Sequence, residues 1–225
     1  MADDLDQAVR RADPDRWLAS RFIADRAARA DLIALYAFDH ELARAGVVAS
    51  QPLIAEIRLT WWREALDEIF AGRTVRAHPV AQALAASVAR RDLSCAPLEA
   101  LIDARVAILD QARLTLAQAT AWAGAVGGST ATLAARILDP ASPEGAASPA
   151  GAAWGLMTLR RAGAIDAAEI DPAIVETLAA ARTAARRLSV TAFPAVAHAT
   201  LTRARNGSEI AKRLRLLAAV LSGWL

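Results

Sequence analysis

Nine prolines divide this 225-residue chain, at Pro14, Pro52, Pro79, Pro97, Pro140, Pro143, Pro149, Pro172 and Pro194, and most stand just before a stretch whose apolar residues recur at helical spacing. Proline fixes φ and suits the first turn of a helix, whereas in the interior it removes a hydrogen bond, so the pattern reads as a series of helix starts. Hydrophobic residues make up 55% and aromatics 5% of the chain, with alanine throughout. Alanine costs least to place in a helix. No strand-like alternation, internal repeat or glycine-rich phosphate loop interrupts the series. The fold class is all-α, and the length suits one domain over 1–225. Residues 1–12 read as a flexible lead-in and 139–150 as a surface loop, since Asp139 to Pro149 has loop composition.

Individual helices follow from the spacing. After Asp15, the residues Trp17, Phe22, Ile23, Leu32, Leu35 and Tyr36 line a buried stripe, with a break expected near Asp31. From Pro52, the residues Leu53, Ile57, Trp61, Leu66 and Ile69 keep close to helical periodicity up to Ala71-Gly72. Further helices are expected from His78-Pro79 to Arg91, from Pro97 towards Leu114, and then to about Leu138. Others should run from Gly151 to Arg161, from Pro172 to Leu188 and from Pro194 to Arg205, with a turn at Asn206-Gly207 and a cap at Ser208. The last helix, from Glu209 to Trp224, gathers Ile210, Leu214, Leu217, Leu221 and Trp224 on one side. Closing the core is the preferred reading of that side. A basic amphipathic helix of this kind can instead lie on a membrane.

The net charge of +2 identifies no partner, and nothing points to nucleic acid. From Arg182 onward, however, eight basic residues face the single acid Glu209, so the chain has a basic end. The one cysteine, Cys95, reads as a spectator in a reducing compartment. The acidic, apolar-poor N-terminus lacks the marks of a secretory or transit peptide, which points to the cytoplasmic side. Between Arg113 and Arg136 runs an uncharged segment in which Gly124 and Gly128 have small-xxx-small spacing. It is alanine, glycine and threonine rather than the roughly 20 large apolar residues of a span, and it reads as a tightly packed core helix.

Several groups of residues bear on chemistry. Tyr36-Ala37-Phe38 opens a helical stretch in which Asp39 and Glu41, two residues apart, face different ways and build no shared metal site. Glu99, Asp103 and Asp110 fall close to one face and suit salt bridges to Arg105, Arg113 or arginines of a neighbouring helix better than a cation. In Tyr36-Ala37-Phe38 the chain resembles the squalene and phytoene synthases, which follow this triplet with a D-D-x-x-D cluster that holds Mg²⁺ and the substrate diphosphate. The resemblance puts the cluster's aspartates at Ala43, Arg44 and Val47, side chains that cannot ligate Mg²⁺. The family's second acidic motif should follow the helix Gly151-Ala152-Ala153-Trp154-Gly155-Leu156-Met157-Thr158-Leu159-Arg160-Arg161, yet the sequence continues Ala162-Gly163-Ala164-Ile165.

Further landmarks are Asp13-Pro14-Asp15-Arg16-Trp17, Glu41-Leu42-Ala43, Trp62-Arg63, His78-Pro79-Val80 and Ile102-Asp103-Ala104-Arg105 with Leu109-Asp110. Together they resemble a non-catalytic branch of the superfamily, the assembly factor of respiratory complex I. The resemblance implies an isoprenoid-synthase-type helical bundle with a central cavity. It puts Phe38, Asp39, Glu41, Leu42, Trp62, Arg63, Asp103, Arg105, Asp110, Trp154 and Arg160 in or near that cavity. Glu41, Asp103, Arg63 and Arg105 are expected there as a buried ion-pair network, or as the lining of a lipid or polar-ligand site. No catalytic residue, metal or cofactor is assigned. The implied partner is a subunit or assembly partner of the membrane-bound NADH dehydrogenase, met at the inner face of the membrane. Two alternatives stand beside this reading: a divergent prenyl-diphosphate transferase using Mg²⁺ with Asp39, Glu41, Asp103 and Asp110 as replacement ligands, and a non-catalytic isoprenoid or lipid binder.

Overall fold

The computed structural model describes residues 2–48, 52–203 and 208–225. The helices are α1 (Ala2–Ala12), α2 (Pro14–Ser20), α3 (Arg26–Val48), α4 (Pro52–Phe70), α5 (Pro79–Arg91), α6 (Cys95–Val106), α7 (Leu116–Ala123), α8 (Ser129–Leu138), α9 (Ser148–Arg161), α10 (Ala167–Ala185), α11 (Pro194–Ala197) and α12 (Glu209–Ser222). A π-helical turn, Gly124–Gly128, joins α7 to α8, and a 3₁₀ segment, His198–Arg203, follows α11. Among the described residues there is no strand. The expected turn at Asn206-Gly207 lies outside the described residues, as does the expected helix end at Arg205.

Helix α3 is the central strut and packs against α1, α2, α4, α5, α6 and α8. Its residues Leu32, Leu35, Phe38 and Leu42 repeat at three- and four-residue spacing and are fully buried. The break expected near Asp31 lies instead at residues 21–25, and Asp31 sits inside an unbroken helix. It is buried, and α5 neutralises it: Arg90 Nη2 donates to Asp31 Oδ1 at 2.6 Å and Arg91 Nε to Oδ2 at 2.8 Å. An acid that looks like a helix breaker in sequence is thus a bolt between two helices.

The lead-in expected to be flexible is helical in its described part. Leu5 and Val9, one turn apart, are buried in the core, and Asp6 receives hydrogen bonds from Trp17 Nε1 at 2.8 Å and Arg21 Nη2 at 2.9 Å. Helix α6 ends at Val106 rather than running on to Leu114. Beyond it the chain turns, and Leu114 N donates to the carbonyl of Ala164 at 2.8 Å, so the segment is drawn to the α9–α10 connection. Pro172 lies inside α10 rather than at its start.

Small residues let α9 cross the π turn at contact distance. A Cβ on Gly127 would collide with the Gly151 carbonyl, one on Gly151 with the Gly127 carbonyl, and one on Gly155 would stand 3.0 Å from Ala123 Cα. The close pair is therefore Gly127 with Gly151, whereas a Cβ on Gly124 would meet nothing within 4 Å. The apolar side of α12 was expected in the core, and it faces outward. Leu216 and Ala219, on the other side, are the buried residues, while Ile210, Leu214, Leu217, Leu221 and Trp224 are exposed. The sequence pattern gives the amphipathic side but not which side the domain covers.

Candidate functional site

The residues that the resemblance puts around a central pocket sort into three environments. Phe38, Leu42, Trp62 and Trp154 belong to the principal apolar core, with Phe38 against Trp62 at 5.3 Å between ring centroids. Asp39 and Arg105 are buried and paired with each other. The remaining charged residues lie at or near the surface. Arg63 Nη2 donates to Asp103 Oδ1 at 2.6 Å, Arg44 Nη1 to Glu41 Oε1 at 2.8 Å, and Arg160 is paired with Asp171. Asp110 is exposed. The expected network of Glu41, Asp103, Arg63 and Arg105 is thus divided among three separate pairs, because Arg105 turns inward to Asp39 while Arg63 stays at the surface.

Asp39 is the centre of the buried charge. Arg16 Nη1, from the first turn of α2, donates to its Oδ2 at 2.7 Å, and Arg105 Nη2, from the last turn of α6, to its Oδ1 at 2.5 Å. Arg105 Nη1 also donates to the Leu101 carbonyl at 2.8 Å. Asp13 caps α2 by accepting from the Arg16 backbone N–H at 2.9 Å, which fixes where Arg16 points. Burial pushes the Asp39 carboxyl upward, but the guanidiniums of Arg105 and Arg16 outweigh it and hold the group below its ordinary range.

Polar atoms without protein hydrogen bonds surround this triad: Arg16 Nε, Arg105 Nε, Tyr36 Oη and both ring nitrogens of His198. The Arg16 guanidinium lies 5.3 Å from the Tyr36 ring centroid. His198 packs edge-on against Trp154 at 5.2 Å, and burial, assisted by the Arg16 charge, pushes its imidazole well below the ordinary range. His198 is therefore a neutral interior group. Sequence reading did not single it out, since one histidine in an alanine-rich stretch carries no pattern. Arg16 was visible within Asp13-Pro14-Asp15-Arg16-Trp17, but nothing there marked it as the partner of Asp39.

Outside the triad, a hollow of about 350 Å³ opens between α3 and α4. Glu41, Arg44, Ile57, Arg58, Trp61 and Trp62 line it together with Ala45 and His78. Trp61, Trp62 and His78 form an edge-to-face aromatic wall, with centroid separations of 4.9, 5.1 and 5.3 Å. Among the expected residues only Glu41 and Trp62 reach this hollow; Arg44, Arg58, Trp61 and His78 were not in the expected set. Among the described residues, no group of three or more His, Cys, Asp or Glu side chains is placed to hold a metal ion. Burial, with Glu99 nearby, pushes the Cys95 thiol up to about 11, so it is not a thiolate near neutral pH.

This arrangement of helices is that of the isoprenoid synthases. A crystal structure of a dehydrosqualene synthase in complex with ligand matches it with a TM-score of 0.75 over 98% of this chain and 95% of that chain, at 14% sequence identity. The chain belongs to the squalene/phytoene synthase family, whose pattern it matches over residues 9–205. No curated protein matches it in sequence.

Proposed function

We propose that this member of the family transfers no prenyl group and serves as a non-catalytic factor in the assembly of the respiratory NADH dehydrogenase, on the cytoplasmic side of the membrane. The carrying observation is the state of the acids on α3. Asp39 is occupied by two guanidiniums, and Glu41 is paired with Arg44, which itself stands where the family resemblance calls for an aspartate. Mg²⁺ is held through several hard oxygen ligands in near-octahedral array, usually carboxylates with substrate phosphates. One saturated carboxylate and one carboxylate tied to arginine do not fit that ion. The replacement ligands of the prenyltransferase reading fare no better: Asp103 is paired to Arg63, and among the described residues no three acids are placed to share an ion. At the other half of the expected site, α9 ends in Arg160 and Arg161, the former paired with Asp171 and the latter over the Trp154 ring at 5.1 Å. Without divalent cations, the charge that develops on a departing pyrophosphate lacks its main stabilisation.

Two measurements test this reading. Purified protein incubated with farnesyl or geranylgeranyl diphosphate and Mg²⁺ should release no pyrophosphate above background, and condensed product would overturn the non-catalytic reading. Deletion of the gene should lower the NADH dehydrogenase activity of isolated membranes, and an unchanged level would overturn the assembly role. The hollow beside Trp61 and Trp62 favours a second reading, retention of an isoprenoid or lipid chain without chemistry. Its test is thermal stabilisation by isoprenoid alcohols that carry no phosphate, and no shift at saturating alcohol would dismiss it.

A further inference from the structure

Helix α12 is seated on the domain by its narrow inner side, Leu216 and Ala219, and by Lys212, whose Nζ donates to Asp15 Oδ1 at 2.9 Å. Its larger apolar side is uncovered: Ile210, Leu214, Leu217 and Leu221 are 71%, 61%, 42% and 79% exposed, and Trp224 beyond the helix is 56% exposed. At roughly 100° per residue these four helical positions make one stripe opposite the buried side, with Arg213 beside it and Arg215 further round, about 130° from its centre and nearer the buried side. Both arginines are exposed. The C-terminal end of α10 adds cations at the end of the stripe. Arg186 stacks over the Trp224 ring at 4.1 Å, and Arg182 Nε donates to the Leu225 carbonyl at 3.0 Å. Asp15 is paired with Lys212, and Glu209 stands in the first turn of α12.

We infer that α12 docks this protein on an anionic lipid surface, lying in the plane of the interface with its leucine stripe among the acyl chains. Three features favour lipid over a protein groove. The apolar side runs the length of the helix, so a fluid apolar layer covers it all at once. Arg213 borders the stripe and Arg186 stands at its end, where their long stems let the guanidiniums reach head-group phosphates while the leucines insert. The stripe ends in a tryptophan, the side chain that favours the boundary between head groups and hydrocarbon. Among the described residues no helix is long and apolar enough to cross a membrane, which fits a helix lying on the surface. The inference is independent of whether the family's chemistry survives.

The test is co-sedimentation of the full chain with two kinds of vesicle, phosphatidylcholine alone and phosphatidylcholine mixed in equal parts with phosphatidylglycerol. The parent should bind the mixed vesicles, bind neutral ones far less, and lose affinity as salt rises. Leu214→Glu/Leu221→Glu changes two exposed residues and should keep the parent's melting curve while weakening binding at least about tenfold. Arg213→Gln/Arg215→Gln should narrow the preference for anionic vesicles. A parent that ignores the anionic vesicles, or a leucine variant that binds like the parent, overturns the inference. So does a lipid-free dimer dissolved by Leu214→Glu/Leu221→Glu, since a second copy would then be the occupant.

Discussion

Asp39 shows how far one side chain can be read from sequence. Its place after Tyr36-Ala37-Phe38 marked it as a pocket residue, yet its two partners come from positions 23 residues before and 66 residues after it, contacts that no local pattern reports. Removing the carboxylate leaves two buried guanidiniums facing each other, which costs more than losing any exposed pair. Asp39→Asn should therefore destabilise the fold by about 3–5 kcal/mol in a urea melt. A triple replacement of Arg16, Asp39 and Arg105 by apolar residues of similar volume should recover much of that loss. Because the folded Asp39 titrates below the ordinary carboxylate value of 3.8, its contribution is complete above that value and is lost as pH falls through the folded one. His198 acts in a higher window. Its folded pKa lies well below the ordinary 6.5, so the unfolded chain takes up the proton first and stability declines as pH drops below 6.5. His198→Phe should flatten the fall in Tm between pH 7 and pH 5. The shallow slope that remains is expected from half-buried His40, whose pKa burial also lowers.

At the scale of elements, the glycines of the α7–α9 region separate packing from mere composition. In sequence Gly124 and Gly128 formed the conspicuous pair, but the backbones approach at Gly127 and Gly151. The π turn makes the difference, because an extra residue in one turn shifts which glycine meets the neighbouring helix. Gly151→Ala forces the two backbones apart and should cost about 3 kcal/mol by thermal or urea melting. Gly124→Ala meets open space and should be neutral or raise stability by about 0.5–1 kcal/mol, since alanine outranks glycine within helical backbone. Equal losses at both positions would mean that the crossing is not what limits the site. Helix existence was legible here because proline starts and 3.6-residue periodicity are local signals. The early end of α6 was not, since it depends on the pull of Ala164 on Leu114, some fifty residues away.

Across the whole molecule the two ends of the chain close a single structure. Leu5 and Val9 from α1 and Leu216 and Ala219 from α12 belong to the same apolar core, while a second core of Leu156, Leu159, Ile170, Ile174 and Leu178 joins α9 to α10. Helix α9 serves both, with Trp154 in the first and Leu156 in the second. That design was legible as an all-α domain, but the orientation of α12 was not. Its wheel offers two seats, the leucine stripe and the smaller side of Leu216 and Ala219, and the seat taken is the one clasped by an ion pair 197 residues apart, Lys212 to Asp15. Asp15 is almost fully buried, so placing a second negative charge against it should expel the terminal helix rather than unfold the core. Lys212→Glu should accordingly raise amide hydrogen exchange over residues 209–222 and over α2 while α3 and α5 stay protected, a local opening cheaper than global unfolding by several kcal/mol. Exchange rising evenly through α3 would place the clasp in the folding core instead, and unchanged exchange in α12 would show that Leu216 and Ala219 alone seat the helix.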